Sequence, residues 1–93
     1  MKATLGTNVI AESDDIVRSS GYCYFPRDAV RTQWLRKVEK SAKDLECPHA
    51  VQFYDVIIDG VVHERNAWCY EAPLASKKET AGRIGFWKDV KLE

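Results

Sequence analysis

Val51-Gln52-Phe53-Tyr54-Asp55-Val56-Ile57-Ile58-Asp59-Gly60-Val61-Val62-His63-Glu64-Arg65-Asn66-Ala67-Trp68-Cys69-Tyr70 is the stretch that decides how this chain folds. Two runs rich in β-branched and aromatic residues, Val51 to Ile58 and Val61 to Tyr70, flank Asp59-Gly60. A turn dipeptide of this kind between such runs is a strong short-range hairpin signal. The pattern therefore predicts two long antiparallel strands.

Their register has two readings. A two-residue turn at Asp59-Gly60 would set Asp55 against Glu64, and opposed like charges destabilise a strand pair. A three-residue loop, Ile58-Asp59-Gly60, with Gly60 left-handed, sets Asp55 against His63 instead and is the preferred register. Because alternate residues share a face, Gln52, Tyr54 and Val56 would then lie with Val62, Glu64, Asn66, Trp68 and Tyr70. Val51, Phe53 and Ile57 would join Val61, Ala67 and Cys69 on the core side.

Outward from the hairpin, short β-patterned runs alternate with turn residues. Lys2 to Leu5, Val9 to Ser13, Ile16 to Arg18 and Tyr22 to Phe25 are separated by Gly6-Thr7-Asn8, Asp14-Asp15 and Gly21. This spacing predicts a meander of antiparallel strands. Pro26 suits the first turn of a helix, and Ala29, Val30, Trp34, Leu35 and Val38 recur at helical spacing, so one amphipathic helix is expected over 26–40. Ser41 to Glu46 reads as a polar connection. Pro73 to Thr80 reads as loop with one helical turn. After Gly82 a last strand carries Ile84 and Phe86 on one face and Gly85 and Trp87 on the other, with Val90 and Leu92 beyond a break at Lys88-Asp89. The expected fold is mainly β (α+β), a single domain over residues 1–93 with one short helix.

Composition excludes several classes. The chain has 93 residues, 14 Lys and Arg against 14 Asp and Glu, and zero formal net charge. Nucleic-acid affinity comes largely from neutralised phosphates and wants a basic stripe. Arg31, Arg36, Lys37 and Lys40 are interrupted by Glu39 and read as a solvated face, so no nucleic-acid partner is expected. No apolar run approaches the roughly 20 residues that span a bilayer, and no membrane partner is expected either. Met1-Lys2-Ala3-Thr4-Leu5 begins no signal-peptide stretch. The odd trio Cys23, Cys47 and Cys69 lacks the spacing of a disulfide framework. Both features point to the cytoplasm.

The candidate chemistry gathers in the hairpin and the segment leading into it. Zinc sites usually supply paired ligands at short spacing. Cys47-Pro48-His49-Ala50 lacks a second Cys, and His63-Glu64-Arg65-Asn66-Ala67 lacks a second His, so no metal is expected. No Gly-rich phosphate cradle is present, and no other cofactor is specified by a motif. Cys47 could act as a nucleophile only with a cation or helix terminus to lower its pKa. His49 is the natural candidate for general acid–base work, because the unperturbed pKa of a histidine lies near neutrality. Tyr24, Tyr54, Trp68 and Tyr70 combine aromatic bodies with polar tips, and Gln52, Asn66 and His49 add donors and acceptors. Aromatic walls with a few convergent polar groups are the usual form of a small-molecule site.

At these residues the chain resembles a family of small, mainly bacterial domains described as domain of unknown function 427. Ile10-Ala11-Glu12-Ser13-Asp14, Tyr24-Phe25-Pro26 with Val30, Cys47-Pro48, Phe53-Tyr54, Ala67-Trp68 with Tyr70, Pro73, and Gly85-Phe86-Trp87 carry the resemblance in the family's order. It implies an Mss4-like, or β-tent, architecture: two antiparallel sheets with a helix packed at the side. Many members follow Cys-Pro with an aromatic residue and Lys-Gly, where this chain has His49-Ala50-Val51, so no role of that lysine transfers. Other β-tent families hold zinc through two Cys-x-x-Cys pairs, and this chain has neither. The family's nucleotidyltransferase-like label finds no phosphate loop or carboxylate pair here.

Three functions are therefore expected in descending order. The first is binding of a small polar or aromatic ligand by Tyr24, Gln52, Asn66, Trp68 and Tyr70. The second is catalysis with His49 as acid or base and Tyr54 or Cys47 assisting. The third is protein interaction through exposed aromatics such as Trp34 and Trp87.

Overall fold

A computed structural model describes residues 1–93. Strands β1 (Lys2–Leu5), β2 (Asn8–Glu12) and β9 (Lys91–Leu92) form a three-stranded sheet in the order β2-β1-β9. Six strands form the second sheet, in the order β3-β4-β8-β7-β6-β5. They are β3 (Val17–Ser19), β4 (Tyr22–Phe25), β5 (Leu35–Lys37), β6 (Val51–Ile58), β7 (Val61–Tyr70) and β8 (Ile84–Phe86). Every pairing is antiparallel. The fold is thus mainly β, two antiparallel sheets with short helical pieces, as the sequence implied.

The two sheets share one apolar core. Ala3, Leu5, Ile10 and Ala11 of the small sheet meet Phe25, Val56, Ala67, Ile84 and Phe86 of the large one. Burial at about 25 cal/mol per Å² of apolar surface makes this contact the main source of stability.

The helix expected over 26–40 is absent. Arg27–Ala29 and Thr32–Trp34 are isolated 3-10 turns, and Leu35–Lys37 is strand. Val30 between the turns is extended, at φ −108° and ψ 138°. It bridges to Ala11, while Arg31 N–H donates to the Ile10 carbonyl at 2.8 Å. Leu35, Arg36 and Lys37 then pair with Val56, Asp55 and Tyr54. The apolar spacing is compatible with either form, and tertiary pairing decides: the segment satisfies the free edge of β6, which a helix would leave open.

The one α-helix, α1 (Ala42–Leu45), lies in the stretch that reads as a polar connection. Ser41 caps it. Its Oγ accepts from Asp44 N–H at 3.2 Å, and the Asp44 carboxylate accepts from Ser41 N–H at 3.0 Å. This reciprocal box satisfies two otherwise orphaned donors, and Ser-x-x-Asp was its sequence signal.

The central hairpin corrects the preferred register. Ile58 pairs with Val61, so the turn has two residues, and Asp59 and Gly60 both have positive φ (52° and 78°). That is the primed turn favoured by strand twist. Pairing runs to Val56–His63 and resumes at Tyr54–Ala67. Asp55 therefore faces a bulge made of Glu64, Arg65 and Asn66. Arg65 adopts φ 53°, and its N–H donates to Asp55 Oδ1 at 3.0 Å. The Asp55–Glu64 clash is real in the simple register, and the chain escapes it by bulging β7 instead of changing the turn. The faces change accordingly. Phe53 pairs with Trp68 and Val51 with Tyr70 on one side, while Tyr54, Val56, Ala67 and Cys69 join the core on the other.

An aromatic groove on the outer sheet face

The groove begins as a row across four strands. Tyr24 pairs with Gly85, Gly85 with Trp68, and Trp68 with Phe53. Gly85 provides the gap in which the Trp68 indole lies: a Cβ there would sit 2.7 Å from Trp68 Cζ2. Residues at alternate positions share this side, which adds Tyr22, Tyr70 and Trp87.

Trp68 is the hub. Its ring centroid lies 5.0 Å from Tyr22, 5.7 Å from Tyr24 and 5.4 Å from Trp87, all steeply inclined. Edge-to-face packing of this kind matches ring edges to the electron-rich faces. Phe53 stacks on Trp87 at 6.1 Å, and the Arg65 guanidinium lies 4.8 Å from the Phe53 centroid. The Trp87 indole N–H donates to the Arg65 carbonyl. Trp68 Nε1, by contrast, is buried without a well-formed hydrogen bond, and the polar group it acts on is the Tyr24 hydroxyl.

These side chains enclose a cavity of about 100 Å³ lined by Tyr22, Val51, Phe53, Trp68, Tyr70 and Trp87. It adjoins a wider groove of about 430 Å³. The groove shares Val51, Phe53, Tyr70 and Trp87 with the cavity and adds Lys43, Asp44, Cys47, Arg65 and Lys88. Three cations thus face one carboxylate along its wall.

Arg65 and Asp44 neutralise each other. The guanidinium donates to both Asp44 oxygens, at 3.2 and 2.9 Å, and so ties α1 to the bulge of β7. This bond holds the Asp44 carboxyl below its ordinary range; burial opposes it and the Ser41 N–H assists. At Asp55, burial would raise the pKa, but Arg36 at 2.9 Å and the Arg65 N–H outweigh it and hold the group low. Tyr24 is pushed up to about 12, first by burial and then by the neighbouring Tyr70 phenol, with Trp68 acting in the opposite direction.

The residues singled out in the sequence divide between the two sides of the sheet. Tyr24, Trp68 and Tyr70 belong to the outer cluster, and Cys47 packs against it. His49 lies beside Tyr70 with ring centroids 5.2 Å apart. Its Nδ1 accepts from Leu74 N–H at 2.9 Å, which leaves the ring proton on Nε2. Tyr54 lies in the inner core, where its hydroxyl accepts from Arg27 at 3.4 Å, so the sheet separates it from His49 and Cys47. Gln52 is buried and donates to the Val38 and Phe53 carbonyls at 2.8 and 2.9 Å. Asn66 braces the bulge, donating to the Glu64 carbonyl and accepting from Asp89 N–H at 2.8 Å.

Sequence reasoning missed Tyr22, Val51, Phe53, Lys43, Arg65 and Lys88, and took Trp87, with Trp34, as an exposed aromatic suited to protein interaction. The signal was the parity of the Asp-Gly turn, which places Phe53 beside Trp68. All three cysteines are free, and Cys69 is buried on the core side, where burial pushes its thiol pKa up. No helix is long and apolar enough to cross a membrane.

The sequence profile of the family described as Domain of unknown function (DUF427) matches residues 1–93, and the chain belongs to that family. No curated protein matches it.

Proposed function

We propose that the protein binds a small, flat ligand against the outer face of its six-stranded sheet. The observation that carries this reading is the aromatic-walled cavity of about 100 Å³, adjoining a groove of about 430 Å³, on the sheet face turned away from the small sheet. Rings at mixed inclinations give a ligand both a stacking surface and edges. Concave, mostly apolar sites with few polar groups are the usual small-molecule sites.

Native mass spectrometry of the gently purified protein tests this, compared with its denatured mass and with Tyr22→Ala. Tyr22 is 39% exposed, so its truncation leaves the fold intact while removing one wall. The expected result is an excess mass in the native protein that denaturation releases and Tyr22→Ala weakens. A bare chain, together with no shift of the Trp68 or Trp87 indole signals on exposure to a panel of aryl compounds, would sink the reading.

A further inference from the structure

We infer that the ligand is an aryl anion: a flat aromatic body carrying a sulfonate, carboxylate or phosphate group that Lys43 and Lys88 receive. The inference rests on the binding reading above and names its chemical class. Of the four charged side chains lining the groove, Arg65 and Asp44 are consumed in their bidentate pair. Lys43 and Lys88 make no hydrogen bond or ion pair with any other side chain, which leaves two uncompensated positive charges on the wall.

Their placement relative to the rings matters. The Lys88 ammonium lies over the Trp87 ring, 5.1 Å from its centroid, so the cation is held within the aromatic cluster. A cation over an aromatic face is held there by the ring quadrupole. Lys88 adopts φ 57° in the turn after β8, and Arg65 adopts φ 53° in the bulge opposite. Left-handed non-glycine residues carry strain and concentrate where a site requires them. Both line the one groove, Arg65 paired to Asp44 and Lys88 free of any ion pair. The chain as a whole is neutral, so this local excess is a property of the groove and not of the general surface.

Anilinonaphthalene sulfonate and phenylnaphthylamine make the test, because they share a ring skeleton and only the first is charged. Fluorescence titration of the intact protein is done with both, at low and high salt. Lys43→Gln, Lys88→Gln and the double variant are measured alongside, with the indole N–H signals locating the probe. The sulfonate is expected to bind more tightly than the neutral amine and to shift Trp68 and Trp87 but not Trp34. Its affinity should fall about threefold in either single variant and about tenfold in the double variant. It should also weaken as salt shortens the screening length from about 30 Å at 0.01 M to about 3 Å at 1 M. Equal, salt-insensitive binding of both probes would overturn the anion assignment while leaving the binding site standing. Undiminished sulfonate binding in the double variant would do the same. If neither probe shifts Trp68 or Trp87, the binding reading itself fails and takes the inference with it.

Discussion

The two faces of the six-stranded sheet carry the same kind of residue and have opposite fates. On the inner face, Phe25, Val56, Ala67, Ile84 and Phe86 are sealed beneath the small sheet. On the outer face, Trp68 and Tyr24 are nearly as buried, beneath other rings together with Val17, Cys47 and Val51, and Tyr22, Phe53, Tyr70 and Trp87 remain partly open. An antiparallel sheet with one covered face commonly turns polar residues to water on the other. This one carries an aromatic cluster there instead, and the proposed binding site is built from it. Strain follows the same division. Of the five non-glycine residues with positive φ, Asp59 and Ser20 belong to two-residue hairpin turns; Ala50, Arg65 and Lys88 sit in the segments that frame the outer face. The inner face is built for stability, and the outer face departs from that rule wherever the groove is shaped.

Truncating one ring on each face is the sharpest way to break this contrast. Phe86 is 1% exposed and packs on Phe25 with centroids 5.7 Å apart. Phe86→Ala should cost about 3–5 kcal/mol, the transfer free energy plus the cavity left behind. Phe53 is half-buried, and Phe53→Ala should cost about 1–2 kcal/mol, its partial burial plus the Arg65 contact. Equilibrium urea unfolding of the two variants reads the difference. Equal losses would mean that the outer cluster is a second core and not a site.

Gly85→Ala probes the seam between the faces with an effect smaller than that of Phe86→Ala. Gly85 is flanked by the core residues Ile84 and Phe86, but its missing side chain is on the groove side, where Trp68 fills the space. Its backbone is not left-handed, so the penalty is steric alone. Moving the indole aside should cost about 1–3 kcal/mol. It should also shift the Trp68 indole signal and lower affinity for aryl probes. An unchanged indole signal would show that Trp68 is not held in the place that defines the cavity.

How much of this was legible depends on how local each signal is. β6 and β7 were delimited in the sequence, because β-branched runs and a turn dipeptide act over a few residues. The bulge at Arg65 was not, since two extra residues on one strand leave no mark in the alternation: parity is preserved across Glu64, Arg65 and Asn66. The like-charge argument at Asp55 correctly located a conflict but chose the wrong remedy. In 26–40 the spacing of Val30, Trp34 and Leu35 suited a helix, and only the unpaired edge of β6 and the bridge to Ala11 select the strand. For the site, Tyr24, Trp68 and Tyr70 were grouped from sequence, whereas Phe53 and Lys88 depended on a register and a loop that sequence left open. Gln52 and Asn66 were chosen as polar groups near aromatics, and the structure spends both on backbone partners.

The smallest expected effect concerns the bond that pins α1 beside the groove. Asp44→Asn keeps a side-chain oxygen to accept from Ser41 N–H, so the cap persists, while the charge opposite Arg65 and one of its two hydrogen bonds are removed. The Arg65 side chain is 31% exposed and that of Asp44 8%, so solvent screening limits the loss to about 1 kcal/mol at neutral pH. The sign of its pH dependence is fixed by the lowered Asp44 pKa, due first to Arg65. A carboxyl held below its unfolded value contributes its full stability above about pH 4 and loses it as pH falls from there through the folded pKa. The wild type and Asp44→Asn should therefore differ at neutral pH and converge in acid. Asp55 is depressed as well, but it is present in both proteins and cancels from the difference. A gap that persists unchanged into strong acid would show that the variant acts through packing and not through charge. The same substitution leaves Lys43, Arg65 and Lys88 without an opposing carboxylate in the groove wall. Sulfonate affinity should rise about twofold to threefold at neutral pH while that of the neutral amine stays put, so one variant weakens the scaffold and strengthens the site.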